Sequence, residues 1–117
     1  MSKGDHSYCI KGHRTDYHIE FFVYEGTWNW ISAEVGPINN EWHHAAGTSD
    51  GTQLKIYLDG VEIATKDYVG GIALSTHNVA LGTNTEASGR FSEGILDEAR
   101  IYNKALSAEE ILYIAGL

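Results

Sequence analysis

Three short apolar segments separated by Asp-Gly pairs constrain the fold more than any other part of this chain. These segments are residues 41–48, 53–59 and 61–66. In the middle one, Leu54, Ile56 and Leu58 fall on one face at the period of two that is typical of a half-buried strand. The Asp-Gly pairs at 50–51 and 59–60 tolerate the positive φ that tight hairpins require. The block therefore predicts consecutive antiparallel hairpins.

Strand patterns continue on both sides of this block. The further predicted strands are residues 8–11, 17–24, 28–35, 78–82 and 91–102. Apolar residues again alternate in two of them, and those expected to share faces are Tyr17, Ile19, Phe21 and Val23 in one strand and Ile31, Ala33 and Val35 in the next. Many short strands at this spacing predict an all-β, jelly-roll-like sandwich of two antiparallel sheets. At 117 residues the chain fits a single domain, residues 1–117.

The C-terminal residues follow a helical pattern instead. Ser107 is followed three residues later by Glu110, the arrangement of a capping box. Ile111, Leu112, Ala115 and Leu117 then form an apolar stripe. We expect a short helix that covers one end of the sandwich.

Composition excludes several classes of partner. The formal net charge is -8 and only eight Lys and Arg residues are present, so phosphate neutralisation and nucleic-acid binding are not expected. No run approaches the roughly 20 apolar residues of a membrane span, and the first residues have no apolar signal region. The single cysteine, Cys9, has no intramolecular partner, so we expect a small core side chain, with an intermolecular thiol as the alternative.

Several motifs resemble one known family. They are a Trp-His-His run at 42–44, a Leu-x-Ile-Tyr-Leu-Asp-Gly hairpin at 54–60 and the stretch 91–111, which looks like a closing strand followed by a turn of helix. Together they are similar to laminin-G-like domains of the concanavalin A-like lectin/glucanase superfamily. The resemblance implies a non-catalytic recognition module for carbohydrate or a protein surface, in an extracellular or cell-surface setting.

The resemblance also implies a shortened N-terminus, because members of that family carry further strands before this point. A sheet edge left open in this way exposes unpaired N–H and C=O groups. We therefore expect a homo-oligomer that pairs through open sheet edges.

Asp97 is the candidate metal ligand. It shares strand parity with Ile95, Ala99 and Ile101, so if that face is buried its carboxylate is buried too and requires a partner. The resemblance implies one, since the matching Asp in concanavalin A-like domains often helps to bind a structural calcium ion together with backbone carbonyls. The alternative is an Asp that accepts hydrogen bonds from backbone N–H groups.

The candidate ligand-binding residues are aromatic. Trp28 and Trp30 share parity with polar residues, opposite the apolar face of their strand, and Tyr24 shares parity with Phe22 and Glu20. Aromatic rings beside polar groups can stack on the C–H face of a sugar while the polar groups bind its hydroxyls. The alternative is that a second layer or a partner covers these rings, which would indicate a structural or oligomerisation domain without a small ligand.

Two catalytic or metal interpretations are weaker. The histidine pairs His13 with His18 and His43 with His44 could supply imidazoles, but no spacing typical of a zinc site accompanies them. A degenerate glycoside hydrolase would need two suitably placed carboxylates, and Glu93, Asp97 and Glu98 do not alternate in the pattern that some enzymes of this superfamily use. We therefore expect no enzyme activity.

Overall fold

The computed structural model describes residues 1–12, 16–38 and 40–116, and within them the chain forms two sheets and one helix. The first sheet comprises β1 (Tyr8–Gly12), β2 (His18–Tyr24) and β3 (Trp28–Glu34), in that order. The second comprises β4 (Ala45–Ser49), β5 (Gln53–Leu58) and β6 (Val61–Asp67), and helix α1 (Ala108–Ile114) follows. All neighbouring strands are antiparallel. The predicted fold class, an all-β sandwich with a short C-terminal helix, is confirmed.

The core lies between the inner faces of the two sheets. The buried residues that form it are Ile19, Phe21, Val23, Ile31, Leu54, Ile56 and Tyr68. All of them except Tyr68, which directly follows β6, lie at alternating positions of β2, β3 and β5, because successive side chains of a strand point to opposite faces. Each fully buried aliphatic side chain contributes about 1.5–3 kcal/mol. Tyr17 does not join its predicted face, since it precedes β2 and is 42% exposed.

The predicted local signals at the turns and at the helix start are confirmed. Asp59 adopts a φ of 52° in the turn between β5 and β6, and its carboxylate accepts from the backbone N–H of His44 at 2.8 Å. The Ser107 hydroxyl accepts from the Glu110 N–H, and the Glu110 carboxylate accepts in return from the Ser107 N–H. The helix packs against β6 and over the turn before it, where Leu112 contacts Gly60. Among the described residues no helix is long and apolar enough to cross a membrane.

Cys9 is a buried free thiol, as expected for a core side chain. Burial raises the pKa of this thiol, which keeps it in its unreactive protonated form.

Two predicted strands are wrong in the described part of the chain. Residues 78–82 contribute only an isolated bridge from Ala80 to Ser2, and residues 91–102 only a bridge from Phe91 to Thr83. A strand forms when a neighbour accepts and donates its backbone hydrogen bonds, and no described strand pairs with residues 93–102. Glu98 also adopts a φ of 50°, which interrupts an extended backbone. The strand predicted to start at residue 41 begins only at Ala45.

The outer edge of β1 is paired by the residues that precede it. The Met1 carbonyl accepts from the Ile10 N–H at 2.9 Å, and the Lys3 N–H donates to the Tyr8 carbonyl at 2.9 Å. Ser2 in turn bridges to Ala80. The expected open edge is therefore absent at β1.

Candidate functional site

The outer face of the first sheet carries the aromatic residues that the sequence analysis selected. The register of β2 and β3 sets Phe22 opposite Trp30 and Tyr24 opposite Trp28, and directly opposed residues of an antiparallel pair share a face. Trp28 is 54% exposed and Trp30 is 55% exposed. Large aromatic surfaces of this kind are usually buried, so a paired exposure on one face is typical of a binding surface.

A groove of about 320 Å³ opens on this face. Its lining residues are Asp5, Lys11, Glu20, Phe22, Trp28, Trp30 and Arg90. This volume is at the small end of the range for ligand pockets, roughly 300–1,000 Å³. Aromatic walls with a few charged groups at the rim suit a small ligand with both an apolar face and hydroxyl groups.

Hydrogen bonding fixes the position of Trp28. Its indole Nε1–H donates to the backbone carbonyl of Asp5 at 2.7 Å. Its ring also contacts Tyr24, with centroids 5.1 Å apart, and His6, with centroids 5.2 Å apart. A ring held by three neighbours loses little further freedom when a ligand stacks on it. By contrast, Nε1 of Trp30 has no hydrogen-bond partner among the described residues, and this side chain is 55% exposed.

Glu86 holds the turn that positions Trp28. Its Oε2 accepts from the backbone N–H groups of Asp5 at 2.5 Å and His6 at 3.1 Å, and its Oε1 contacts Nδ1 of the His6 imidazole. Burial would raise the pKa of Glu86, but the hydrogen bonds from the His6 imidazole and from these two amides outweigh it and lower the pKa. A residue far along the chain therefore anchors residues 5 and 6 under the Trp28 ring.

The charged groups of the groove are paired. Arg90 binds both carboxylate oxygens of Asp5, at 3.0 and 3.1 Å, and Lys11 Nζ lies 3.1 Å from Glu20 Oε1. Lys11 Nζ also lies 5.7 Å from the centroid of the Phe22 ring, within cation–π range. Two cations and two anions leave the groove without net charge, which favours a neutral ligand over an ionic one.

The sequence analysis found part of this site. It selected Trp28 and Trp30, which line the groove, and Tyr24, which lies beside Trp28 and supports it. It missed Asp5, Lys11 and Arg90. Strand parity could have found Lys11, which is paired with Glu20 across β1 and β2. No local pattern could have joined Asp5 to Arg90, because 85 positions separate them.

Asp97 does not have the surroundings that the sequence suggested. It is exposed, and its Oδ1 accepts from the backbone N–H of Glu98 at 2.8 Å. Calcium takes six to eight oxygen ligands. In the described ranges no group of three or more His, Cys, Asp or Glu residues could hold a metal ion, so a calcium ion at Asp97 would depend on backbone carbonyls for its other ligands. Glu98 and Arg100 form an exposed surface pair at 2.5 Å, and solvent screening leaves such a pair little effect on stability.

The histidines have separate environments. His43 Nδ1 lies 2.7 Å from Asp59 Oδ2, which ties the start of the second sheet to the turn between β5 and β6. His18 Nδ1 lies 2.7 Å from the Asp16 carbonyl. His13, the other member of that predicted pair, lies outside the described residues.

A second hollow of about 410 Å³ lies beside α1. It is lined by Tyr102, Lys104, Leu106, Glu109, Glu110, Tyr113 and Ile114. Its best-placed charged groups, Lys104 and Glu110, pair with each other at 2.6 Å. The hollow therefore offers few free polar groups to orient a hydroxylated ligand, and the aromatic groove is the better candidate.

Comparison with known proteins agrees with the fold. A laminin G family model described as "Concanavalin A-like lectin/glucanases superfamily" matches residues 1–112. The crystal structure of an S-layer domain-containing protein (residues 221-444) from Clostridium thermocellum ATCC 27405 has a similar fold, with a TM-score of 0.61 and 21% sequence identity. The similarity covers 84% of this chain and 51% of that one, so this chain spans about half of its length. No curated protein matches the sequence.

Proposed function

Because the chain belongs to the concanavalin A-like lectin/glucanase superfamily, in its laminin G group, we propose that it is a recognition module whose outer aromatic face binds a neutral carbohydrate. The observation that carries this proposal is the exposed pair Trp28 and Trp30 in a groove with balanced charge. A family of this kind supports binding of carbohydrate or of a protein surface. The chemistry of the groove favours carbohydrate.

A sugar ring complements this groove in two ways. Its C–H face stacks on an indole ring, and Trp28 is held in place for this by Asp5. Its hydroxyls can accept from Nε1 of Trp30 and exchange hydrogen bonds with Lys11 and Glu20 at the rim. The volume of about 320 Å³ favours one or two sugar rings.

We propose that the site binds without catalysis. Glycoside hydrolysis needs a protonated carboxylic acid beside an ionised carboxylate, and an apolar pocket usually keeps the acid protonated. The two carboxylates of this groove instead each face a cation, Asp5 facing Arg90 and Glu20 facing Lys11. Such surroundings suit hydrogen bonding to a ligand better than proton donation.

We propose that the module works outside the cell or at its surface, where carbohydrate ligands are displayed. The acidic charge of the chain gives no support to nucleic-acid binding, and we propose neither a nucleic-acid nor a membrane partner. The second candidate function is a protein-binding or oligomerisation module, favoured by the many exposed apolar residues outside the groove.

Tryptophan fluorescence during saccharide titration tests the proposed function. Neutral mono- and oligosaccharides should change the emission of the wild-type protein in a saturable way. Trp30→Ala should weaken binding by about tenfold or more, which corresponds to about 1.4 kcal/mol. Trp42→Ala is the matched control, because Trp42 is 68% exposed but does not line the groove. Equal losses in both variants, or no response to any saccharide, would favour the protein-binding function.

A further inference from the structure

Residues 95–102 form an exposed apolar segment that the proposed carbohydrate site does not use. Ile95 is 80% exposed, Leu96 60%, Ile101 55% and Tyr102 44%. A single exposed apolar residue is ordinary, but four within one short segment are typical of a surface that a partner covers.

The backbone of this segment also lacks a neighbour. The Ser92 N–H donates to the Gly82 carbonyl at 2.8 Å, and beyond it no residue from 94 to 102 makes a backbone–backbone hydrogen bond within the described ranges. The sequence nevertheless has the composition of a strand, with isoleucine, leucine and tyrosine at intervals. The Glu98 N–H donates to Asp97 Oδ1, but a strand-forming segment without backbone pairing is a template for strand addition.

We propose that residues 95–102 pair with the same residues of a second copy of this chain, as an antiparallel strand pair centred on Ala99. Pairing requires Glu98 to change from its φ of 50° to an extended conformation, and it would then supply the missing backbone hydrogen bonds and partly cover the apolar side chains. The interface is isologous, so both copies contribute the same residues. It lies outside the two described sheets and therefore differs from pairing at their edges.

Symmetry restricts the register of such a pair. Two identical antiparallel strands are related by a twofold axis perpendicular to the sheet, which keeps each residue on its own face. A residue can then oppose only residues of its own parity, since opposed side chains share a face. A twofold axis that passes through residue 98, 99 or 100 gives a register in which most of the segment is paired.

Charge selects among these three registers. An axis through residue 98 sets Glu98 opposite its own copy, and an axis through residue 100 does the same for Arg100, so each brings like charges together. An axis through Ala99 instead sets Glu98 opposite Arg100 of the second copy, twice. The same register sets Leu96 opposite Tyr102, also twice. The segment is thus self-complementary in one symmetric register.

Glu98 and Arg100 can exchange their pair within one chain for pairs between the two copies. Arg100 Nη2 already lies 2.5 Å from Glu98 Oε2 of its own chain, and both groups are exposed. Replacing the two intrachain pairs of a dimer by two pairs across the interface desolvates little and keeps Glu98 and Arg100 of both copies paired. The second copy therefore matches the face that carries Leu96, Glu98, Arg100 and Tyr102, whereas on the other face Ile101 opposes Asp97 and Ile95 opposes Asn103.

Cysteine cross-linking tests the register directly. In the proposed pair the two copies of residue 99 face each other at about 4.5–5.5 Å between Cα atoms, a distance that a disulfide spans. Ala99→Cys should therefore form a disulfide-linked dimer under mild oxidation. Ser92→Cys is the matched control, equally exposed but roughly 48 Å from its copy in this register. The buried Cys9 remains in both variants.

A charge exchange tests the same contact without a cross-link. Arg100→Glu should weaken the dimer about tenfold or more in light scattering or sedimentation, and the double variant Glu98→Arg with Arg100→Glu should restore it. The proposal is overturned if Ala99→Cys cross-links no better than Ser92→Cys. It is equally overturned if the wild-type protein is monomeric at its highest soluble concentration, or if the double variant is as weak as the single one. None of these results bears on saccharide binding.

Discussion

Gly47→Ala should destabilise the sandwich, because Gly47 is where β4 meets the ring of Phe21. A Cβ atom added at residue 47 would lie 2.5, 2.6 and 2.9 Å from three carbons of that ring, where ordinary contacts begin at 3.4 Å. The ring is 7% exposed and belongs to the core cluster, so it cannot move aside without displacing other buried side chains. Overpacking of this kind costs about 1–3 kcal/mol.

The same substitution also has a smaller effect that stabilises the folded state. Alanine in a strand interior is favoured over glycine by about 0.5–1 kcal/mol, because glycine loses more backbone freedom on folding. The steric cost exceeds this gain, so we expect a net loss of about 1–2 kcal/mol in the free energy of unfolding. For a domain of this size the loss corresponds to a fall in Tm of roughly 4–8 °C.

Urea denaturation and thermal melts followed by circular dichroism measure this change, and two controls isolate its cause. Gly12→Ala, at the end of β1, would place its Cβ 4.0 Å from the His18 carbonyl oxygen, an ordinary contact, so it should leave stability unchanged or slightly raised. In a Phe21→Leu background the clash partner is gone, so Gly47→Ala should cost much less. An unchanged or raised stability for Gly47→Ala in the wild-type background would refute the reasoning, as would the same cost in both backgrounds.

Two further predictions concern acid stability and calcium. Glu86 has a lowered pKa, so its stabilising contribution is present above the ordinary glutamate pKa of about 4.3 and is lost as the pH falls through the folded-state value. Glu86→Gln should therefore show a shallower loss of Tm than the wild type in melts below pH about 4.3, and identical acid profiles would contradict the role of Glu86. If Asp97 binds calcium as the family resemblance implies, calcium should raise Tm and Asp97→Asn should abolish the rise. Because Asp97 is exposed and accepts from the neighbouring backbone amide, we instead expect calcium to raise Tm in neither protein. A calcium-dependent rise in Tm confined to the wild type would contradict this expectation and support a calcium site at Asp97.

Features encoded by neighbouring residues were predictable from the sequence. The alternation in β2 and β5 identified their buried faces, since the period of two depends only on strand geometry. The capping box was predictable for the same reason, because Ser107 and Glu110 recognise each other within one helical turn.

Features that depend on distant partners were not predictable. The pattern of residues 91–102 is that of a strand, but a strand requires a neighbour, and the alternation says nothing about whether one is present. Likewise, parity placed Trp28 and Trp30 on one face without revealing whether another layer covers it. The groove became visible only when the tertiary fold brought Arg90 to Asp5 and Glu86 to the turn at residues 5 and 6.

A glycan array tests the central claim most directly. The wild-type protein and the double variant Trp28→Ala with Trp30→Ala would be applied in parallel, each with calcium and with chelator. We predict that the wild-type protein binds a set of neutral glycans and that the double variant, while retaining its circular dichroism spectrum, binds none of them. Binding by the double variant at wild-type level, or no binding by the wild-type protein in either condition, would contradict recognition through this aromatic face.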